Sequence, residues 1–399
     1  MTTRDNLEKK LIDLVLEKTN LFDHTEDINI AEVGDGNVNY IYRVNNGDKS
    51  VIVKFADDFI RDSDTRALST KRNEIEYEIL RRQDLLCPNS VPKVYFYSEE
   101  MNCIVMEDLS DFDVLREGLK EYKTYPHLAT AMSRFLYDVL FKTTDLVMDE
   151  AEKKELAGEL VNIDMCEISE RLVFTEPYMN NQGLNRYASE NNDFVQETLY
   201  NNEELKLEVA KLKNKFMNNT QSMIHGDLHS GSIFISNDDF KVFDPEFSFY
   251  GPMGYDIGNV VASLAISYVV AELENIEETK SYRDWLVTTI KDMVDGFISI
   301  YNEEYSQDVN THMFNNEAFK SYYLKDIIAD TAGYAGTEMI RRTVGVAKVW
   351  DLDRVQDHPN IALIERTIVN IAKDFILERT DISSGSDFKS IIEKRVGEI

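Results

Sequence analysis

The chain has 399 residues, of which 43% are hydrophobic and 29% are charged, with only 7 prolines and 17 glycines. This length exceeds the usual domain size of about 100–200 residues and predicts two lobes, while the composition excludes a disordered or fibrous protein. Because 43 Lys and Arg stand against 73 Asp and Glu, the net charge is −30, and we expect neither nucleic acid nor a membrane surface as a partner.

The N-terminus and the cysteines indicate a cytoplasmic protein. Residues 1–18 are rich in charge and carry apolar residues at helical spacing, which is not the pattern of a signal peptide. The most apolar run, residues 257–271, is shorter than the roughly 20 residues that a membrane span needs. Cys87, Cys103 and Cys166 are odd in number and far apart, so we expect free thiols in a reducing compartment.

The first third of the chain reads as a small sheet with one helix. Its β-branched and aromatic runs are separated by turn residues, which is typical of strands: 28–33, 38–44, 50–56, 93–98 and 103–109. Residues 70–83 lie between the third and fourth runs and have the apolar spacing of a helix. This order predicts an antiparallel sheet with a helix packed on it.

After about residue 110 the pattern changes to long helices. Apolar stripes at helical spacing predict four core helices, around 128–140, 205–216, 285–297 and 364–375. The sequence therefore predicts an α+β, bilobal fold with an N-lobe at 1–109 and a mostly helical C-lobe at 110–399. In this division the N-lobe binds the nucleotide, and the C-lobe holds the catalytic loop, the metal site and the substrate pocket.

The stretch MIHGDLHSGSIFI, residues 223–235, resembles a phosphotransferase catalytic loop in which Asp227 is the candidate base. Such loops carry a metal-binding Asn five residues after the Asp, but here that position is Ser232. Asp244 is the candidate metal ligand, and Glu246 follows two residues later. On an extended backbone residues i and i+2 point the same way, so we expect Glu246 to join Asp244 and compensate for Ser232.

Lys54 lies inside an apolar strand, where an ammonium group needs an acidic partner. The following helix offers Glu74, Glu76 and Glu78, and the sequence does not say which of them pairs with Lys54. Glu76 best matches the glutamate that pairs with the nucleotide-binding lysine of kinase folds, which leaves Lys54 to contact the α- and β-phosphates.

Residues 32–44 read as a strand, a turn and a second strand. The turn contains Gly36 and Asn37, whose backbone amides are candidates for cradling phosphate, although an ordinary hairpin turn has the same composition.

The end of the predicted sheet, residues 104–110, is the candidate connector between the lobes. We expect Met106 to line an adenine pocket, with Glu107 and Leu109 offering backbone groups to the base.

Two charged features lie further along the chain. Asp256 precedes an apolar helix and is more typical of a cap, or of a carboxylate that ties down the catalytic loop, than of a substrate ligand. Arg341 and Arg342 lie in an otherwise apolar helix, where adjacent side chains point about 100° apart. We therefore expect one of the two arginines to face substrate or the transferring phosphate, without knowing which.

Together, HGDLHSGS, DPEFSFYGPMGYDIGN, DGNVNY and EMIRRTVGVAKV resemble the aminoglycoside phosphotransferase and choline kinase superfamily, and within it the methylthioribose kinase family. The resemblance covers essentially the whole chain. It implies ATP- and Mg²⁺-dependent phosphorylation of the O1 hydroxyl of 5-methylthioribose in methionine salvage, by a homodimer.

The resemblance also implies a role for individual residues. Asp227 matches the catalytic base, Asp244 and Glu246 the metal ligands, and Lys54 the lysine that contacts the nucleotide phosphates. Arg341 matches a contact to substrate or to the transition state, and Arg342 is a second candidate for substrate binding.

Two other functions remain open on the sequence. The first is a kinase for another small hydroxyl compound, such as choline, an aminoglycoside, homoserine or a sugar; the arginine pair argues against a cationic acceptor. The second is a nucleotide-binding pseudokinase scaffold, against which the joint presence of Lys54, Asp227, Asp244 and Glu246 argues.

Overall fold

The computed structural model describes residues 3–22, 27–33, 39–56, 59–60, 63–67, 69–274, 276–346 and 350–398. Gly36 and Asn37, the candidate phosphate-binding turn, lie outside these described residues. The chain forms two compact units. The first comprises Met1–Phe112 with Lys241–Phe247, and the second comprises Asp113–Phe240 with Ser248–Ile399.

The first unit consists of a sheet, a short hairpin and two helices. In chain order its elements are α1 (Thr3–Thr19), β1 (Asn29–Glu32), β2 (Tyr40–Asn45), β3 (Ser50–Phe55), β4 (Phe59–Ile60), β5 (Ser63–Ala67), α2 (Lys71–Leu86), β6 (Val94–Ser98) and β7 (Cys103–Glu107). The sheet is antiparallel with strand order β1-β2-β3-β7-β6, and β4 pairs with β5. The five predicted sheet strands and the predicted helix are all present.

Side-chain alternation along β3 separates the hydrophobic core from the functional face. Val51 and Val53 are buried in a cluster with Leu11 and Val15 of α1, so this face of the strand is covered by apolar packing. Because successive side chains of a strand point to opposite faces, Lys54 projects to the other face. A lysine in the middle of an apolar strand is thereby directed away from the hydrophobic cluster.

The segment Lys241–Phe247 groups with the first unit, although the sequence places it in the second lobe. The backbone N–H of Val242 donates to the carbonyl of Ser90 at 2.8 Å, and Lys241 Nζ lies 3.2 Å from a carboxylate oxygen of Glu107. These long-range contacts cannot be read from hydrophobic periodicity. They bring the candidate metal ligands at 244 and 246 into the same unit as Lys54.

The second unit is mostly helical. Its elements are β8 (Asp113–Val114), α3 (Leu115–Lys120), α4 (Leu128–Leu140), α5 (Glu150–Glu159), α6 (Ile163–Leu172), α7 (Glu176–Met179), α8 (Asn192–Val195), α9 (Glu203–Asn218), β9 (Ser222–Ile224), β10 (Ile233–Ile235), β11 (Phe240–Val242, ending within the first unit), β12 (Phe249–Gly251), α10 (Gly254–Glu274), α11 (Lys280–Asp308), α12 (Glu317–Val344), α13 (Trp350–Asp353), α14 (Ile361–Leu377) and α15 (Gly385–Gly397). The four predicted core helices correspond to α4, α9, α11 and α14, and their apolar stripes are largely buried. The α+β prediction is thus confirmed.

Helix α10 is longer than its apolar run suggested. It spans 21 residues and is the one helix of the described chain that is long and apolar enough to cross a membrane, but most of it is buried inside the unit. It packs closely against α12, where a Cβ added to Gly258 would lie 2.7 Å from the backbone nitrogen of Ala335. The burial of α10 is that of a core helix.

Candidate active site

In the first unit Lys54 is the centre of a buried ionic cluster. Its Nζ lies 2.6 Å from the carboxylate of Glu76 and also donates to Asp244. Lys54 and Glu76 are only 7% and 1% exposed, whereas Glu74 points to solvent and Glu78 contacts Arg81. Of the three glutamates that the sequence offered, the structure therefore pairs Glu76 with Lys54.

The charges around Lys54 oppose the effect of burial on its pKa. Burial alone would lower the pKa of this ammonium group, but Asp244, Glu76 and Glu246 together raise it, so Lys54 is held protonated. Burial has the opposite effect on the pKa values of the carboxylates. Burial and neighbouring carboxylates raise the pKa of Glu76 to about 8 and that of Glu246 to about 7, against the opposing effect of Lys54.

Three carboxylates of this cluster are close enough to hold one cation. Oxygens of Glu76, Asp244 and Glu246 all lie within 4.8 Å of one another. Carboxylate oxygens are the ligands that Mg²⁺ prefers, and three of them crowded against one lysine leave negative charge that a cation would neutralise. The residues present therefore fit a divalent cation, with Glu76 as a member that the sequence did not suggest.

Asp244 and Glu246 come together by a different route from the one expected. Asp244 has φ 66°, in the left-handed region, and Glu246 lies in a turn, so the segment is not an extended strand. The alternation argument for this pair was therefore wrong, although their carboxylates do lie close together. A left-handed residue reverses the local chain direction, and Asp is among the few residue types that adopt this conformation readily.

Two further residues that the sequence did not single out orient Glu246. Asn39 Nδ2 donates to Glu246 Oε2 at 2.9 Å, and Arg72 donates to Asn39 Oδ1 at 2.9 Å. Arg72 Nε also lies 3.8 Å from Glu246 Oε2. Asn39 and Arg72 are 3% and 1% exposed, so this chain of contacts is shielded from water. Helical periodicity could not identify Arg72, because it is a charged residue on the buried face of α2, where the pattern predicts an apolar one.

The connector residues are only partly available to a nucleotide base. Met106 and Leu109 are buried, at 7% and 6% exposure. The backbone N–H of Glu107 donates to the carbonyl of Lys93 at 2.9 Å, and the carbonyl of Leu109 accepts from the N–H of Phe112 at 3.0 Å. The N–H of Glu107 is therefore unavailable to adenine, which corrects the expectation for that group.

In the second unit the candidate catalytic loop, residues 223–235, is fixed by Asp256 at the start of α10. Its two carboxylate oxygens accept the backbone N–H groups of His225, at 2.6 Å, and Gly226, at 3.0 Å. Gly226, which directly precedes Asp227, lies in a bend with φ 85°, a conformation that favours glycine. The prediction that Asp256 ties down the loop is confirmed.

Ser232 supports the same loop from its other end. Its Oγ donates to the backbone carbonyl of Asp227 at 3.0 Å, and its N–H donates to the carbonyl of His229 at 2.8 Å. The serine is 4% exposed. Its hydroxyl therefore stabilises the loop that carries Asp227.

The side chain of Asp227 contacts three positive or proton-donating groups. Its Oδ1 lies 3.1 Å from Arg342 Nη2 and 3.6 Å from Arg341 Nη1, and its Oδ2 lies 3.4 Å from His229 Nε2. The nitrogen Nδ1 of His229 accepts the N–H of Gly231 at 2.8 Å, which leaves the ring proton on Nε2, facing Asp227. The sequence missed His229, although it stands two residues after Asp227 in the same motif.

The electrostatics of the second unit keep Asp227 ionised. Burial alone would raise its pKa, but His229, Arg342 and Arg341 lower it well below the usual value. Burial lowers the pKa of His229, so the imidazole is neutral at pH 7 and the two guanidinium groups are the permanent positive charges beside Asp227.

Both arginines, not one, lie beside Asp227. The expectation that their 100° separation leaves only one of them at the site was wrong because the positions are three and four residues after Glu338 on α12. Residues i+3 and i+4 flank residue i on the same helix face. Glu338 therefore accepts from both, at 3.2 Å from Arg341 Nη1 and 2.5 Å from Arg342 Nε.

Comparisons with known proteins identify the family of the chain. The profile of the phosphotransferase enzyme family matches residues 29–287. A methylthioribose kinase of Geobacillus sp. (strain WCH70) is 37% identical over 94% of this chain and 92% of its own length. Another, of Bacillus cereus (strain 03BB102), is 35% identical over 94% and 93%.

Among solved structures, a glucosamine kinase in complex with glucosamine, ADP and inorganic phosphate covers 91% of this chain and 84% of its own, with 12% identity and a TM-score of 0.46, a likeness too distant to carry an argument. The sequence relatives decide the assignment, because their identity extends over nearly the whole length of both chains. The chain belongs to the phosphotransferase enzyme family and, within it, to the methylthioribose kinases.

Proposed function

We propose that the protein transfers the γ-phosphoryl group of ATP to the O1 hydroxyl of S-methyl-5-thioribose and forms the 1-phosphate, a step of methionine salvage. The observation that carries the proposal is the contact of one ionised carboxylate, Asp227, with the guanidinium groups of Arg341 and Arg342. This arrangement suits a neutral hydroxyl acceptor and an anionic phosphoryl group. A cationic acceptor such as choline would be repelled by the arginines.

In this proposal Asp227 is the catalytic base. Its Oδ2 accepts the proton of the attacking hydroxyl while Oδ1 stays engaged by the arginines. Arg341 and Arg342 bind substrate and stabilise the negative charge on the transferring phosphoryl group. His229, a neutral donor to Oδ2, orients the carboxylate.

The first unit supplies the nucleotide half of the reaction. Lys54, held protonated by its carboxylate neighbours, binds the α- and β-phosphates, and Glu76 orients it. Asp244 and Glu246 would hold Mg²⁺, which when bound neutralises charge on the nucleotide phosphates. Met106 and Leu109 supply apolar walls to the adenine, and Leu109 remains a candidate for backbone contact with the base. Gly36 and Asn37 remain candidates for phosphate contact.

The proposal also covers the location, the oligomeric state and the partners of the protein. We infer a cytoplasmic homodimer, because the family resemblance implies a dimer and because three free thiols suit a reducing compartment. A net charge of −30 suits solubility and gives no support to nucleic acid or anionic lipid as a partner.

The test is coupled ADP release with Mg·ATP and a panel of 5-methylthioribose, ribose, choline, homoserine and kanamycin. We expect turnover with methylthioribose, and a fall of kcat of about 10²–10⁴-fold in Asp227→Asn. The matched control is Asp374→Asn, which removes the charge of another buried carboxylate, one that pairs with Arg395 at 2.5 and 2.8 Å. Turnover of a different acceptor alone would overturn the substrate, and turnover of none would overturn the enzyme assignment.

A further inference from the structure

Glu338 has no role in the reaction chemistry proposed above, yet it is among the most buried charged residues of the second unit. It lies on α12 with 1% exposure, and both of its carboxylate oxygens are used, Oε2 by Arg341 and Oε1 by Arg342. An ionised side chain buried this deeply is costly unless it is paired and hydrogen-bonded. Its partners are the same two arginines that contact Asp227.

From these contacts we infer that Glu338 is a positioning residue that holds Arg341 and Arg342 in the geometry needed for phosphoryl transfer. This inference rests on the proposed function, because it assigns a purpose to the arginine pair of that site.

The contacts of Arg342 show how the positioning works. Its Nε donates to Glu338 at 2.5 Å while its Nη2 donates to Asp227 at 3.1 Å, so one planar guanidinium spans the two carboxylates. Because the guanidinium is rigid, fixing Nε fixes the direction of Nη2. Arg341 uses one nitrogen, Nη1, for both carboxylates, at 3.2 Å from Glu338 and 3.6 Å from Asp227.

Glu338 also balances charge. Without it, two guanidinium groups would face the single carboxylate of Asp227 and would draw in both of its oxygens, including the one proposed to accept the proton. With Glu338 present, two carboxylates stand against two guanidinium groups, and only Oδ1 of Asp227 is occupied by arginine. The base keeps one oxygen for the acceptor hydroxyl.

Two tyrosines next to Glu338 leave its oxygens to the arginines. Tyr178 and Tyr255 are buried, and burial, followed by the charge of Glu338, raises the pKa of each hydroxyl. Within the described part of the chain neither hydroxyl has a hydrogen-bond partner, so neither donates to Glu338. The arginines are therefore the hydrogen-bond donors whose contacts with Glu338 define its role.

The kinetic test uses Glu338→Gln, Glu338→Asp, Arg342→Gln and the double variant Glu338→Gln/Arg342→Gln. We expect Glu338→Gln to lower kcat about 10–100-fold with the KM for ATP changed less than threefold. Because the shorter contact of Glu338 is with Arg342, most of its effect should pass through that arginine, and the double variant should lose clearly less than the product of the two single losses. Asp374→Asn, which disrupts another buried pair, should keep kcat within twofold.

Glu338→Asp keeps the charge and covers the case in which the glutamine variant does not fold. We expect it to fold, and to lower kcat about tenfold because the shorter side chain cannot reach both arginines. Unchanged kcat in a folded Glu338→Gln or Glu338→Asp variant, or multiplicative losses in the double variant, would overturn the inference.

A spectroscopic readout separates this inference from the substrate assignment. In protein labelled with ¹⁵N-arginine, the Nε–H of Arg342 should give a downfield, exchange-protected signal that is absent in Arg342→Lys and shifted in Glu338→Gln. If this signal is present but methylthioribose is not turned over, the positioning by Glu338 stands and the proposed substrate is rejected. Its absence in the unmodified protein would overturn the positioning itself.

Discussion

Arg342 Nη2 donates to Asp227 Oδ1 at 3.1 Å, and this contact joins the end of α12 to the catalytic loop. The two oxygens of Asp227 consequently differ, because Oδ1 faces two permanent cations while Oδ2 faces the neutral His229. A carboxylate bound on one side by arginine is oriented and ionised but still has an oxygen for a proton. The contact thus sets both the direction and the ionisation of the proposed base.

The first prediction concerns pH. Because His229 and the two guanidinium groups hold the pKa of Asp227 well below its usual value, activity lost as pH falls from 8 to about 5 should not come from protonation of this residue. Arg342→Gln removes one cation and leaves burial less opposed, so the pKa of Asp227 should rise, and its protonation should add a loss of kcat/KM at acid pH that the unmodified protein does not show. We also expect kcat to fall about 10²–10³-fold from lost stabilisation of the phosphoryl group.

Rate profiles between pH 4.5 and 8.5 check this, with Arg395→Gln as the control that removes an arginine from another carboxylate. The same loss of kcat/KM at acid pH in Arg342→Gln and in the unmodified protein would contradict the electrostatic account of Asp227.

The second prediction concerns the partner of Lys54. Glu76→Gln should raise the KM for ATP about tenfold or more, because the lysine loses the carboxylate 2.6 Å away that orients it. Glu74→Gln changes an exposed residue two positions earlier on α2 and should leave both kinetic constants within twofold. Steady-state assays with varied ATP measure the difference, and equal effects of the two variants would show that the buried pair does not position the lysine.

The third prediction concerns Ser232. Because its hydroxyl donates to the carbonyl of Asp227, Ser232→Ala should lower the free energy of unfolding by about 0.5–1.5 kcal/mol and keep magnesium-dependent turnover within about threefold. Asp244→Asn, by contrast, should abolish most turnover at ordinary magnesium concentrations and recover part of it at high magnesium. Urea unfolding and magnesium titrations test both statements. A magnesium requirement raised in Ser232→Ala as in Asp244→Asn would make the serine, rather than Glu246, the replacement for the asparagine of other kinases.

The fourth prediction concerns the packing of α10 against α12. A Cβ at position 258 would lie 2.7 Å from Ala335 N and 2.8 Å from Thr331 O, so Gly258→Ala should destabilise the fold by about 1–3 kcal/mol. Gly158→Ala is the matched control, because a Cβ there meets nothing within 4 Å and α5 gains a better helix former. Denaturant midpoints of the two variants should move in opposite directions.

The sequence by itself determined the main sheet, the long core helices and the motifs that carry Asp227 and Asp244. Strand alternation and helical periodicity are local properties, and they located the sheet, α2 and the long helices. The motifs around Asp227 and Asp244 are contiguous stretches of residue types, so they could be recognised without coordinates.

Tertiary structure alone decided which groups meet. Glu76, rather than Glu74 or Glu78, contacts Lys54 because the packing of α2 buries one helix face, and helical spacing does not say which face lies over β3. Asp244 reaches its neighbours through a left-handed residue, and Lys241–Phe247 joins a unit from which it is distant in sequence. The pairing of Glu338 with Arg341 and Arg342 follows from helical spacing, but only the fold brings both arginines to Asp227 on a distant loop.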